Sequence, residues 1–167
     1  MAKNRGKQFE EKVREAFEKV PDVSVVRLHD QTTGFLGSSN HCDFIVYKKP
    51  YEYHIECKSV HGNTLSIHSK DPSKKYGNIT NKQWEGLLEK SKIKGVKAGV
   101  LCWWIDRDVT LFIDIKRLKF LRDGGLKSIR YDNEEWSDLI IPIQGKKKRV
   151  FFDYDMKQFF KEAEHEI

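Results

Sequence analysis

Cysteine is scarce: Cys42, Cys57 and Cys102 are the only three in 167 residues, and none belongs to a CxxC pair. That excludes a disulfide framework. Each lies among apolar residues of a predicted strand, so all three read as reduced core thiols rather than metal ligands. Long apolar runs are also missing. The stretches Ala98 to Ile105 and Leu139 to Ile143 fall well short of the roughly 20 residues of a membrane span, so no transmembrane helix is expected. The opening Met1-Ala-Lys-Asn-Arg-Gly-Lys carries charge with no apolar segment after it. It is not a secretory signal, and an intracellular protein is expected. The six histidines form no HxxxH or HxH pair. A zinc set of His29, His41 and Cys42 is the weaker reading beside scattered structural histidines. Internal repeats, an interdomain linker, zinc-finger spacing and a helix-turn-helix are all absent.

What the chain does have is large side chains and charge. Ten Phe, six Tyr and four Trp within 38% hydrophobic residues suffice for a packed core in a single domain spanning 1–167. A net charge of +6 permits a nucleic-acid partner without requiring one.

Phe9, Val13, Ala16, Phe17 and Val20 recur at spacings of three and four, which predicts a helix over 4–20 capped by Asn4 and ended by Pro21. Val23 to Leu28 predicts a first strand. After a polar Gly/Ser loop, Cys42 to Lys48 and Glu52 to Val60 predict a hairpin turning at Lys48-Lys49-Pro50-Tyr51. A polar stretch from Gly62 to Asn78, with a short strand near 65–68, leads to a helix from Thr80 to Lys92. Further strands are predicted at 96–105 and 109–113, and a short helix at 116–122 that stops at Gly124-Gly125. The remainder reads as strands at 139–143 and 149–152, turned at Gly145-Lys-Lys-Lys, and a final helix from Asp155. The predicted class is α/β or α+β with a central mixed β-sheet flanked by helices.

An acid followed two positions later by Lys occurs four times: Glu10-Lys12, Glu56-Lys58, Asp114-Lys116 and Asp155-Lys157. Composition alone accounts for such a number, so context must separate them. Glu56 and Lys58 lie on a strand, where a spacing of two puts both on one face. Asp43 opens the preceding strand, so a hairpin brings Asp43 and Glu56 together at the sheet edge. Two adjacent carboxylates repel unless a cation offsets them, and a hard divalent ion with oxygen ligands is the natural partner. Asp114-Lys116 is set aside because a helix starts at once after it.

These residues carry a resemblance. His41-Cys42-Asp43 followed by Ile55-Glu56-Cys57-Lys58 resembles the PD-(D/E)XK nuclease motif, and the element order is that of the restriction-endonuclease-like fold. Within that superfamily the chain most resembles the RecU-type and phage-encoded Holliday junction resolvases. Supporting features run from Asn4 to about Asp114: Asn4-Arg5-Gly6 with Glu10, Arg27 at the first strand's end, the Gly/Ser loop, Gln83 and the apolar 98–105 strand. Cys42 replaces the motif's proline, and no long RecU-type insertion separates the first two strands. No known motif covers 115–167, which reads as a C-terminal elaboration.

The resemblance implies Mg²⁺, with Mn²⁺ as a substitute, held by Asp43, Glu56 and the Cys57 carbonyl. It makes Lys58 the catalytic lysine, Glu10 an auxiliary carboxylate and Gln83 a polar group facing the site. For Gln83 the sequence offers a competing account, since Thr80-Asn-Lys-Gln83 fits a capping box. Implied partners are branched DNA and a second copy of the chain. No membrane and no organic cofactor are implied, and the location would be the bacterial cytoplasm, with a phage gene as one source. A restriction-like or repair endonuclease on other DNA, and a non-catalytic DNA-binding module, are the alternatives.

Charge is concentrated locally. Lys70 to Lys97 holds eight lysines against three acids, Lys116 to Arg130 six basic residues against one acid, and Lys146 to Arg149 is a basic run. Candidate DNA contacts are Arg5, Lys7, Arg27, Ser39, Lys74, Lys75, Lys82, Lys146, Lys147 and Lys148. The tail from Asp153, with five acids against two lysines, is expected to pack or to pair with a subunit.

Overall fold

The computed structural model describes residues 4–29, 40–67, 77–133 and 139–164. Helix α1, Arg5–Glu18, begins at Asn4, whose side chain accepts from the Lys7 amide, and it buries the predicted stripe of Phe9, Val13, Ala16 and Phe17. Strands β1 (Ser24–Arg27), β2 (Phe44–Lys48) and β3 (Tyr51–Val60) follow, then a short β4 (Thr64–Ser66). Helix α2 spans Asn81–Ser91, and β5 (Val96–Trp104) and β6 (Val109–Asp114) come next. Helix α3, Ile115–Asp123, is followed by β7 (Ser128–Arg130), β8 (Ile140–Pro142), β9 (Gly145–Lys147), β10 (Phe152–Tyr154) and helix α4, Met156–Glu164.

The main sheet runs β1-β2-β3-β5-β6-β8. Its one parallel pair is β3 with β5, joined through α2, and the remaining pairs are antiparallel. A parallel neighbour demands a crossover connection, and α2 supplies it. The sheet is covered on both faces. On one side α1 and α4 close over Tyr53, Ile55, Leu101, Trp103 and Phe112. On the other α2 and α3 close over Ala98, Val100, Cys102, Trp104, Leu111 and Ile113. Adjacent Trp103 and Trp104 therefore serve opposite cores, as strand alternation requires. The mixed sheet flanked by four helices is the predicted α+β class.

Two local expectations are corrected. Lys146 and Lys147, read as part of a turn, sit on β9, where Lys147 pairs with Phe152 and Lys146 with Asp153. The reversal lies one step later, where the Lys148 amide donates to Phe151 O at 2.8 Å. Strand β7, which the sequence does not predict, pairs with β4 as a separate two-stranded sheet. Three-residue strands with polar sequences carry no readable period. Among the described residues no helix is long and apolar enough to cross a membrane.

Candidate active site at the edge of strands β2 and β3

Backbone pairing assembles the site. Register sets Phe44 opposite Ile55, and the Asp43 amide donates to Ile55 O at 3.0 Å, so Asp43 and Glu56 face one another across the hairpin. The Asp43 carboxylate accepts from the Cys57 amide at 2.8 Å, which fixes it against β3. Glu56 is 5% exposed. Its carboxylate accepts from Gln83 Nε2 at 2.9 Å, and Lys58 Nζ stands 3.3 Å from the same oxygen. Burial and the Asp43 charge push Glu56 well above the usual carboxylate range, against the pull of Lys58, with Glu10 adding to the rise.

Helix α1 brings its amino end over this edge. A methyl group on Gly6 would meet Ser59 Oγ at 3.8 Å, so the helix passes close to the residue after Lys58. Glu10 lies near enough to raise Glu56, and it also pairs with Arg27 Nη2 at 3.0 Å. The Arg27 guanidinium, considered as a DNA contact, is thereby turned toward Glu10, with Glu11 at 3.9 Å.

Gln83 answers to both of its sequence readings at once. Its amide oxygen accepts from the Thr80 amide at 3.0 Å while Thr80 Oγ1 accepts from the Gln83 amide at 3.2 Å, a complete capping box. Its NH₂ is left to donate to Glu56. One side chain starts α2 and orients a carboxylate.

The oxygen donors of Asp43 and Glu56 fit a hard divalent ion. Two carboxylates meet beneath a single lysine, and one of them is buried. Cys57 can take part only through its main chain, because its thiol is buried in the α1-side core. That thiol is also held well above its ordinary range, by burial first and then by Asp43 and Glu56.

The other candidates scatter. Arg5 and Lys7 are exposed in the first turn of α1, and Lys82 is exposed beside Gln83. Arg5 and Lys12 of α1 and Lys19 at its C-cap share a surface groove with Lys148 and Arg149, so the hairpin of β9 and β10 adjoins the helix. Lys146, Lys147 and Lys148 are exposed, and Lys147 pairs with Asp108 at 2.6 Å. Ser39, Lys74 and Lys75 lie outside the described residues. Asp114 is 4% exposed and caps α3 by accepting from the Lys116 amide at 2.8 Å, a structural role.

No sequence pattern marks His54. It sits on β3 two residues before Glu56, on the same face by alternation, and its ring nitrogen meets His41 at 2.7 Å. His29, its rival as a partner for His41, is exposed, and its carbonyl accepts from Asn40 Nδ2 at 2.7 Å.

No protein-family model matches the chain, and no curated protein matches it. Among solved structures it is similar to Hjc of Archaeoglobus fulgidus, a Holliday junction resolvase from an archaeal hyperthermophile. The two are 18% identical, with a TM-score of 0.46 over 66% of this chain and 78% of that one.

Proposed function

We propose that this protein is a divalent-metal-dependent endonuclease that hydrolyses phosphodiesters in branched DNA, four-way junctions above all. The observation that carries the reading is the convergence of Asp43, Glu56 and Lys58 where β2 begins beside the middle of β3, with Lys58 Nζ 3.3 Å from Glu56. Asp43 and Glu56 would hold Mg²⁺, or Mn²⁺ in its place, together with the Cys57 carbonyl. A bound ion of this kind polarises a phosphate oxygen and lowers the pKa of its water. Lys58 orients the attacking water or offsets the charge that develops on the phosphate. Gln83 holds the Glu56 carboxylate in place, and Glu10 adds negative charge beside it.

Arg5, Lys7 and Lys82 supply phosphate contacts near the site, Lys148 extends them along the groove beside α1, and Lys146 adds charge on the adjoining hairpin. Paired symmetric cuts on a four-way junction call for a two-fold homodimer.

The test is cleavage of a synthetic four-way junction and of a linear duplex of equal length in Mg²⁺. Wild type is expected to cut the junction preferentially. Asp43→Asn, Glu56→Gln and Lys58→Ala are each expected to lose about 10²-fold or more in single-turnover rate. Variants that cut like wild type would remove the site assignment. Equal cutting of the linear duplex would remove junction selectivity and leave a repair or restriction-like nuclease. Binding of DNA with no cutting in Mg²⁺ or Mn²⁺ would leave a non-catalytic module.

A further inference from the structure

Beneath α2, beside the carboxylates, lies a second cluster of ligating atoms. His41, Cys42 and His54 each offer one ligand atom, and these lie within 4.8 Å of one another. His41 Nε2 is 2.7 Å from His54 Nδ1, and Cys42 Sγ is 4.0 Å from the same nitrogen. We propose that His41, Cys42 and His54 bind one zinc ion, and that this ion fastens the chain ahead of Asp43 to strand β3. The reading is independent of the nuclease assignment.

The donor set is the first argument. One thiolate and two imidazoles suit a borderline-soft ion such as Zn²⁺ and are foreign to Mg²⁺. Tautomer geometry is the second. The Glu52 carboxylate lies 2.6 Å from His54 Nε2 and must accept from it, which leaves the His54 Nδ1 lone pair facing the cluster. A carboxylate behind a ligating imidazole is the arrangement that orients histidines on zinc.

Packing agrees with this. Zinc takes cysteine as the thiolate, so binding at Cys42 releases a proton. A methyl group on Gly86 would stand 2.2 Å from His41 Cβ, so the imidazole is seated against bare helix backbone. A surface cavity lined by His41, Lys82, Glu85, Gly86 and Glu89 opens the His41 side of the cluster to solvent. Two tetrahedral Zn–N bonds of about 2.0–2.1 Å place their nitrogens roughly 3.4 Å apart. The imidazoles thus need to part by well under an ångström.

The consequence is positional. Cys42 immediately precedes Asp43, and His54 precedes Glu56 by two residues on one strand face. An ion joining them fixes the spacing of the two carboxylates.

Cobalt(II) is the probe, added to the full-length protein after chelator treatment. One equivalent is expected to bind with a thiolate-to-metal charge-transfer band. Cys42→Ser should abolish the band, and His41→Gln should weaken binding at least tenfold. Glu52→Gln should weaken it by about 10–100-fold. The double variant Asp43→Asn, Glu56→Gln should keep the band, which separates this site from the carboxylate pair. His41 is only half-buried, so His41→Gln is the variant to rely on if Cys42→Ser does not fold, with circular dichroism as the check. No charge-transfer band in wild type, or unchanged affinity in His41→Gln, would overturn the proposal.

Discussion

Gln83 carries two jobs that mutation can separate. Thr80→Ala removes the hydroxyl that caps α2 without touching Glu56, whereas Gln83→Ala removes one half of the capping box and the 2.9 Å contact to Glu56 together. Thr80→Ala is expected to cost about 0.5–2 kcal/mol in urea unfolding and to leave the single-turnover cleavage rate near wild type. Gln83→Ala should show a similar loss of stability and a clear fall in rate. If the two variants lose the same activity, Gln83 acts only through the helix. Sequence could supply the capping box, because its partners are three residues apart. It could not supply the bond to Glu56, which spans 27 positions and exists only once α2 is laid across β3.

Among the strands, β5 is the one that tolerates least. It pairs with β3 on one side and β6 on the other, and its side chains are almost all buried. Gly99 lies mid-strand, where an added methyl would meet Ile113 O at 2.4 Å and the Phe112 ring at 2.7 Å. A carbonyl in the neighbouring strand cannot step aside as a flexible side-chain tip can. Gly99→Ala is therefore expected to destabilise by about 1–3 kcal/mol, read as a melting temperature lower by roughly 2–4 °C per kcal/mol. An unchanged melting temperature would show that β5 and β6 can move apart. The apolar run of β5 was plain in the sequence; the need for a gap in it was not. The opposite held at β9, where a run of lysines hid a strand because an exposed edge hairpin needs no apolar face.

Across the whole molecule, the C-terminal segment belongs to the core. Strand β8 extends the main sheet beside β6, and α4 buries Met156, Phe159, Phe160 and Ala163 over the same face as α1. Phe159 packs against Phe17, Tyr53 and Phe112 with ring centroids 6.0, 5.6 and 5.2 Å apart. Lys97, buried on that face, donates to Ala163 O and lies over the Tyr51 ring at 4.4 Å. Phe159→Ala should cost about 3–5 kcal/mol by chemical denaturation, a loss typical of a large core aromatic. A loss below about 1 kcal/mol would mean that α4 is an appendage. The described part of the acidic tail, as far as Glu164, thus packs, one of the two fates its composition suggested. Its apolar positions, and not its charge, decide the matter.

The chain's own sequence determined the elements and the site's local pattern. Apolar spacing set α1, α2 and the long strands, and a period of two put Glu56 and Lys58 on one face. Scarcity of cysteine ruled out disulfides, yet it said nothing about what Cys42 would lie beside. Tertiary structure decided that. The β2 and β3 register sets Asp43 against Glu56, and helix α2 crosses above them so that Gln83 reaches Glu56 while Gly86 admits His41. In this way His41 and Cys42 acquire His54 as their neighbour in place of His29. Local rules fix what lies within a few residues along the chain. Contacts between distant segments depend on how strands pair and how a helix lies across them, and short-range pattern does not encode that.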